Sequence, residues 1–227
     1  MADEPRTKRR YDSRRRQEQA ATTRRSILAA AQRLFEQDGY VATTMEAIAA
    51  EAGVALKTVY SGFATKPGLL RAVWDLALKG DVDDSPVADR SWYRDMLDEP
   101  DAQRQVRLNA ANARVVKTRI GPILRVIRSA AVVDADSADL WALIQSDFYA
   151  NQRVLVESLA AKGALRPGLD PASATDILWT LNHPDVWLLL AYERGWTPER
   201  FESWFAAVAI DQLLGAGGSS AATDGSQ

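Results

Sequence analysis

The chain of 227 residues contains no cysteine and a single histidine. The first absence excludes disulfides and thiolate-held metals, and it suits a reducing compartment. The second removes the commonest general base and metal ligand, so a metal centre has few donors to draw on. The sequence also holds no Gly-x-Ser-x-Gly elbow, no phosphate-cradling glycine loop and no dinucleotide fingerprint. Acidic pairs such as Asp83-Asp84 fall in polar breaks and read as solvated. An enzyme is therefore not expected, and neither is a cofactor. Long apolar runs are missing too. The longest, Val186 to Ala191, is far short of the roughly 20 residues that span a bilayer. No apolar signal core stands near the start, and no segment alternates as a half-buried strand would. These absences leave a cytoplasmic, all-α protein without a membrane partner as the expectation.

What the chain does hold is ordinary globular composition, 47% hydrophobic and 26% charged, with its charge unevenly placed. Residues 1–79 carry 14 basic and 9 acidic side chains, a net +5, whereas the remainder is −7. A basic first third on an acidic remainder suggests that the first part meets a polyanion. Residues 1–21 are the most basic stretch and nearly devoid of apolar side chains. They are expected to be a flexible arm, with Arg14, Arg15 and Arg16 available to a phosphate backbone. Residues 215–227, rich in Gly, Ser and Ala, are expected to be a disordered tail.

Helical periodicity begins at Thr22 or Thr23, either of which can cap. Ile27, Ala30, Ala31, Leu34 and Phe35 recur at helical spacing until Gly39. Thr44 caps a second helix, with Ile48 and Ala49 inward and Gly53 at its end. A third, about 55–61, follows at once, with Val59 and Phe63 as its anchors. Lys66-Pro67 opens a fourth, for which Leu69, Leu70, Val73, Trp74 and Leu76 supply the buried side. Residues 80–90 form a polar break. Beyond it the spacing predicts helices over about 101–118, 122–133, 137–162, 171–193 and 198–214. The second and third helices, separated by a short glycine-containing turn, have the helix-turn-helix arrangement, in which the second member enters the major groove.

The residues sharpen that arrangement. Arg24, Ile27-Leu28, Ala30-Ala31, Leu34-Phe35, Gly39, Thr43-Thr44, Ile48-Ala49, Ala52-Gly53-Val54, Thr58-Val59-Tyr60, Phe63, Lys66 and Leu69-Leu70 together closely resemble the N-terminal region of the TetR family of regulators. The resemblance implies a three-helix DNA-binding domain over 22–79, with the fourth helix as connector. It implies a larger helical ligand-binding and dimerisation domain over 80–214. DNA contacts are then expected from Arg24, Thr44, Lys57, Thr58, Tyr60 and Lys66: phosphate for Thr44, Tyr60, Lys66 and Arg24, a base or thymine methyl for Thr58, and either for Lys57. Two departures stand out. Ala55 cannot cap the third helix as a Ser or Thr would, and Gly62 supplies no side chain where many members have one.

One helix-turn-helix reads only a half-site, so a homodimer on double-stranded DNA is expected. The resemblance places the dimer surface on the last two large helices, with Trp187, Trp204, Phe205 and Val208 as candidate anchors. The remaining helices are expected to enclose a largely apolar small-molecule site. Its candidates are Ile127, Trp141, Ile144, Phe148 and Trp179, with Asn112, Gln145, Gln152 and His183 as polar partners. His183, before Pro184, reads more readily as an exposed or capping residue. The function implied is a ligand-responsive repressor that binds a palindromic operator and is released by its ligand. A helical protein–protein adaptor is the alternative. It accounts for long helices, but not for the basic arm together with Thr44, Lys57, Thr58, Tyr60 and Lys66.

Overall fold

A computed structural model describes residues 4–80 and 91–215, with side chains from residue 15 onward except those of 91 and 92. The acidic pair Asp83-Asp84 and residues 216–227 of the tail lie outside the described residues. The elements are α1 (Glu4–Ala42), α2 (Met45–Glu51), α3 (Leu56–Phe63), α4 (Lys66–Lys79), α5 (Ser91–Asp98), α6 (Ala102–Ala130), α7 (Ala135–Ala161), α8 (Pro171–Leu181), α9 (Pro184–Leu188) and α10 (Pro198–Leu213), with one π-helical turn, Leu189–Glu193, after α9. No strand occurs among the described residues, so the all-α expectation holds. No helix among them is long and apolar enough to cross a membrane.

The starts of the helices follow from their first residues. Asp101, Asp134 and Asp170 each accept backbone N–H groups of the turn that follows, at 2.7, 2.7 and 3.0 Å. Thr44 and Thr197 do the same at 3.0 and 3.2 Å. A side-chain oxygen here satisfies donors that the helix cannot, worth about 1 kcal/mol each. Pro171, Pro184 and Pro198 occupy first helical positions, where a missing N–H costs nothing. The cap hydrogen bonds of Ser173 hold the Asp170 carboxyl below its usual pKa, helped by the Ala172 amide.

Two compact units divide the chain: Met1–Ala77 with Pro122–Leu140, and Leu78–Gly121 with Trp141–Gln227. The segment 122–140 joins the first unit, where the sequence reading had placed it in the second domain. Its residues are committed there: Ile123, Leu124 and Ile127 are fully buried, and so is Ser137. Ile127 is therefore core of the first unit and is removed from the ligand candidates. In the second unit Val106, Ala110, Leu155, Leu159, Leu178 and Phe205 are among the residues of one apolar core.

Five further expectations are corrected. Helix α1 runs from Glu4, so the segment expected as an arm is helical where it is described. Arg, Gln, Glu and Ala are good helix formers and need no core to continue a helix already nucleated. Thr22 consequently does not cap; its hydroxyl donates back to the Glu18 carbonyl at 2.9 Å. Leu76 is exposed, and Ala77 takes the buried place. The stripe 69, 70, 73, 74 continues to 77 at helical spacing. Helix α6 passes through Gly121-Pro122 without a break. An interior proline costs about 3 kcal/mol, but burial of Ile120, Ile123, Leu124 and Ile127 around it contributes about 1.5–3 kcal/mol per side chain. The expected 171–193 helix is instead split at Asn182-His183, where Pro184 starts α9.

Gly121 is held small by its neighbours. A Cβ there would stand 2.8 Å from Trp187 Nε1 and 2.9 Å from the Tyr192 hydroxyl. Trp187 is buried against Phe201, ring centres 5.0 Å apart, and has nowhere to retreat. Gly121→Ala is expected to destabilise by ~1–3 kcal/mol despite the better helix propensity of alanine. Denaturant melts check this, and a variant as stable as the parent counts against the packing described.

Candidate functional site

In the first unit, α1 ends where Gly39 takes φ +79°, a conformation that a side chain would strain. Thr43, buried, then ties the junction with its hydroxyl to the Leu34 and Gly39 carbonyls at 3.1 and 2.8 Å. Helix α2 follows, capped by Thr44 as expected, and buries Met45, Ile48 and Ala49. The turn Ala52–Ala55 contains Gly53 at φ +67° and is closed by Val54 N–H to the Ala49 carbonyl at 3.0 Å. Ala55 makes no side-chain cap, again as expected.

Because α3 buries Val59 and Phe63, its other face is committed to solvent. Lys57, Thr58 and Tyr60 all stand there, with Tyr60 45% exposed. Thr44 is also exposed. The other two candidates are placed differently. Arg24 lies twenty residues into α1, not at its start. Its guanidinium packs over the Phe63 ring at 4.4 Å and donates to the Gly62 carbonyl at 3.3 Å. It thus clasps α1 to α3 across the position where a side chain is absent. Lys66 points its ammonium at the Tyr40 ring, 4.2 Å from the centre, and donates to the Val41 carbonyl at 3.4 Å. Burial lowers the Lys66 pKa and Asp134 partly restores it. Burial likewise raises that of Tyr40. An apolar groove runs beside α3, bordered by Gln19, Thr23, Arg24, Ile27, Thr58 and Phe63.

The second unit contains a cavity of about 100 Å³ between α5, α6, α7 and the end of α8. Asn112, Phe148 and Gln152, all expected as ligand residues, line it. Trp141, Ile144, Gln145, Trp179 and His183 do not. They form a separate cluster in which the His183 ring meets Trp179 and Trp141 edge-on, at 4.7 and 6.5 Å. His183 Nε2 lies 3.1 Å from Gln145 Oε1, and Nδ1 accepts the Asp185 N–H at 3.1 Å. A neutral ring protonated on Nε2 satisfies both bonds, which is the capping role. Ile144 is plain core.

The cavity wall has members that sequence reasoning missed: Tyr93, Met96, Asn109, Lys117, Arg119 and Asn182. Lys117 is 1% exposed. Its Nζ donates to the Asn182 carbonyl at 2.7 Å and lies 5.0 Å from the Phe201 ring centre. Burial drives its pKa well below 10.5. Tyr93 is shifted upward by burial. Lysine at a helical position that would otherwise be apolar was the available signal, since Ala110, Ala113, Lys117, Ile120 and Leu124 fall on one stripe of α6. The α5 wall is fixed by Lys162, which donates to the Glu99 carbonyl at 2.7 Å and to Gln105 Oε1 at 2.6 Å. Burial lowers the Lys162 pKa, against the pull of Glu99 and Asp98.

Of the expected dimer anchors, Trp187 and Phe205 are buried within the chain's own core, both against Phe201. A side chain already covered by its own fold cannot anchor a partner, so both are withdrawn. Trp204 and Val208 keep partial exposure, with Trp204 edge-on to Trp196 at 5.9 Å.

The α1–α4 helix-turn-helix region and the second helical unit with its cavity make up a fold similar to that of solved TetR-family regulators. Residues 27–73 match the sequence model of bacterial regulatory proteins of the tetR family, so the resemblance read from the sequence is borne out. No curated protein matches the chain by sequence. Among solved structures, a SmeT–triclosan complex superposes with a TM-score of 0.66 at 19% identity, over 90% of this chain and 98% of SmeT. NalD, the secondary repressor of the MexAB-OprM multidrug efflux pump in Pseudomonas aeruginosa, gives 0.65 at 21% identity, over 87% and 98%. A proposed transcriptional regulator from Saccharomonospora viridis in complex with choline gives 0.62 at 16%, over 84% and 97%. At these identities the likeness is one of fold.

The pH dependence of stability tests the placement of Lys117. A base whose folded pKa is depressed destabilises the fold while it is protonated, and the penalty fades as pH rises from the folded value toward 10.5. Wild type is therefore expected to gain stability relative to Lys117→Met as pH is raised through that window. Parallel stability curves for the two proteins would show that the ammonium is solvated.

Proposed function

We propose that the protein is a ligand-responsive transcriptional regulator, a repressor that binds a palindromic operator as a homodimer in the cytoplasm and lets go when a small molecule binds. The observation that carries this reading is the exposed face of α3. Val59 and Phe63 lock the helix down and leave Lys57, Thr58 and Tyr60 outward, within a region that matches the tetR family over 27–73. Thr58 and Lys57 are assigned to base edges, and Tyr60 and Thr44 to phosphates. Arg24 and Lys66 are assigned first to holding the unit together and second to the backbone. SmeT and NalD, which share the fold, are described as repressors of multidrug efflux pumps. A small-molecule signal is the reading this supports for the cavity. The reading includes no catalytic step.

Selection of bound duplexes from a random DNA pool tests it. Enrichment of one palindrome is expected, whereas a purified protein that binds no duplex at low salt points to the helical adaptor. On the selected site, Tyr60→Ala is expected to weaken binding by at least about tenfold at unchanged stability. If Lys57 meets phosphate, Lys57→Ala flattens the logarithmic salt dependence by about 0.9. If it meets a base, the slope stays and the sequence preference relaxes. Thr58→Val is expected to alter preference more than affinity, and an identical preference profile removes Thr58 from the reading surface. Lys66→Ala is expected to lower stability as well as affinity, because it gives up the Val41 carbonyl and the Tyr40 face.

A further inference from the structure

The cavity of the second unit has an unbalanced wall. A buried cation, Lys117, lines it, and among the described lining residues there is no carboxylate. Arg119 is anchored by donating to the Leu78 carbonyl at 2.8 Å. Lys117 is anchored by the Asn182 carbonyl at 2.7 Å and, more weakly, by that of His183 at 3.5 Å. Backbone carbonyls and the Phe201 face ease the burial of an ammonium, but they do not neutralise it. Three amides of the same wall also have buried atoms without hydrogen-bond partners: Asn109 Nδ2, Gln152 Oε1 and Asn182 Oδ1. Folded proteins leave few such atoms unpaired, because each costs ~1–3 kcal/mol. Of the six buried side-chain atoms of this kind among the described residues, three converge on this one cavity.

Met96, Val116 and Phe148 complete the wall with apolar surface. We propose that the cavity binds a small organic acid, its carboxylate held by Lys117 and Asn109 Nδ2 and its body lying against Met96, Val116 and Phe148. A donor on that body, such as a hydroxyl, pairs Gln152 Oε1 or Asn182 Oδ1. A quaternary ammonium, like the choline of one protein of similar fold, would meet a buried cation here. A neutral apolar molecule would bury the amides still unpaired. The inference rests on the reading of the cavity as the ligand site and assigns the ligand's chemical class.

The test is calorimetric titration of the full chain, without DNA, using matched pairs. Benzoate, para-hydroxybenzoate, phenylacetate and hexanoate are each compared with the corresponding primary amide, and benzyltrimethylammonium serves as the cation. At least one acid is expected to bind about tenfold or more tightly than its amide, since a charge-assisted hydrogen bond replaces a neutral one. The hydroxy acid is expected to exceed benzoate. Lys117→Met is expected to abolish the difference between acid and amide. The comparison within wild type decides the matter even if that variant does not fold. Acids that bind no better than their amides, or no better than the ammonium probe, overturn the assignment, as does a preference for acids that survives in Lys117→Met. The two readings fail separately. Acids that bind through Lys117 but never change affinity for the selected operator defeat the regulator and keep the ligand class. An operator reader that ignores the acids does the reverse.

Discussion

The turn between α2 and α3 is the constraint on which the DNA-facing part of the molecule depends. Gly53 at φ +67° reverses the chain in a space where a side chain would strain the backbone, and the Val54 amide closes the turn on Ala49. That geometry leaves α3 one way to bury Val59 and Phe63. Once those two are inside, helical spacing alone sends Lys57, Thr58 and Tyr60 outward. The surface proposed to read DNA is thus the by-product of a packing solution. Arg24 belongs to that solution too. With Gly62 bare, its guanidinium lies over Phe63 and holds the neighbouring carbonyl, so a charge expected to meet phosphate also fixes α3 against α1.

Sequence reasoning was most reliable where a local rule has no competitor. The Thr44 cap, the missing cap at Ala55, the glycine turn and the inward pair Val59 and Phe63 are settled within a few residues, and the structure has them all. It failed where a tertiary term outweighed the local one. Gly121-Pro122 looked like a helix end, but burial on both sides of it holds α6 together. Leu76 was taken for core because it is leucine, although the stripe points to Ala77. Helix α5 follows the acidic stretch 80–90 and carries little apolar signal: among its described side chains one is buried, Met96.

The ligand cavity was the least legible part, for a related reason. Apolar and aromatic residues were taken as pocket candidates, yet burial alone does not distinguish a pocket wall from core. Trp141, Ile144 and Trp179 pack elsewhere, and Ile127 belongs to the other unit. The informative residues were those that do not belong in a core. Lysine on the inward stripe of α6 and asparagine at 109 are costly inside a protein unless something answers them. Sequence can show that such residues stand on a buried stripe. Only the fold shows that they converge on one space, with Asn182 arriving from the end of α8.

Helix α6 supplies its own control for how such a charge is treated. Arg114, one turn before Lys117, meets Glu202 of α10 with Glu199 nearby, so its charge is paired and only partly buried. Lys117 meets α10 at Phe201 instead, adjacent in sequence to Glu202 but without a charge. The two helices therefore can bring a carboxylate to a cation and do so at the more exposed position. At the buried one α10 brings an aromatic face, and the two backbone carbonyls come from Asn182 and His183, beside the cavity. Replacing a buried charge by an apolar residue of similar volume is often neutral or stabilising. A lysine kept without its counter-ion is a net expense to the fold, and a site that receives its counter-ion from outside converts that expense into affinity. The same imbalance that weakens the second unit is what would make it respond to an acid.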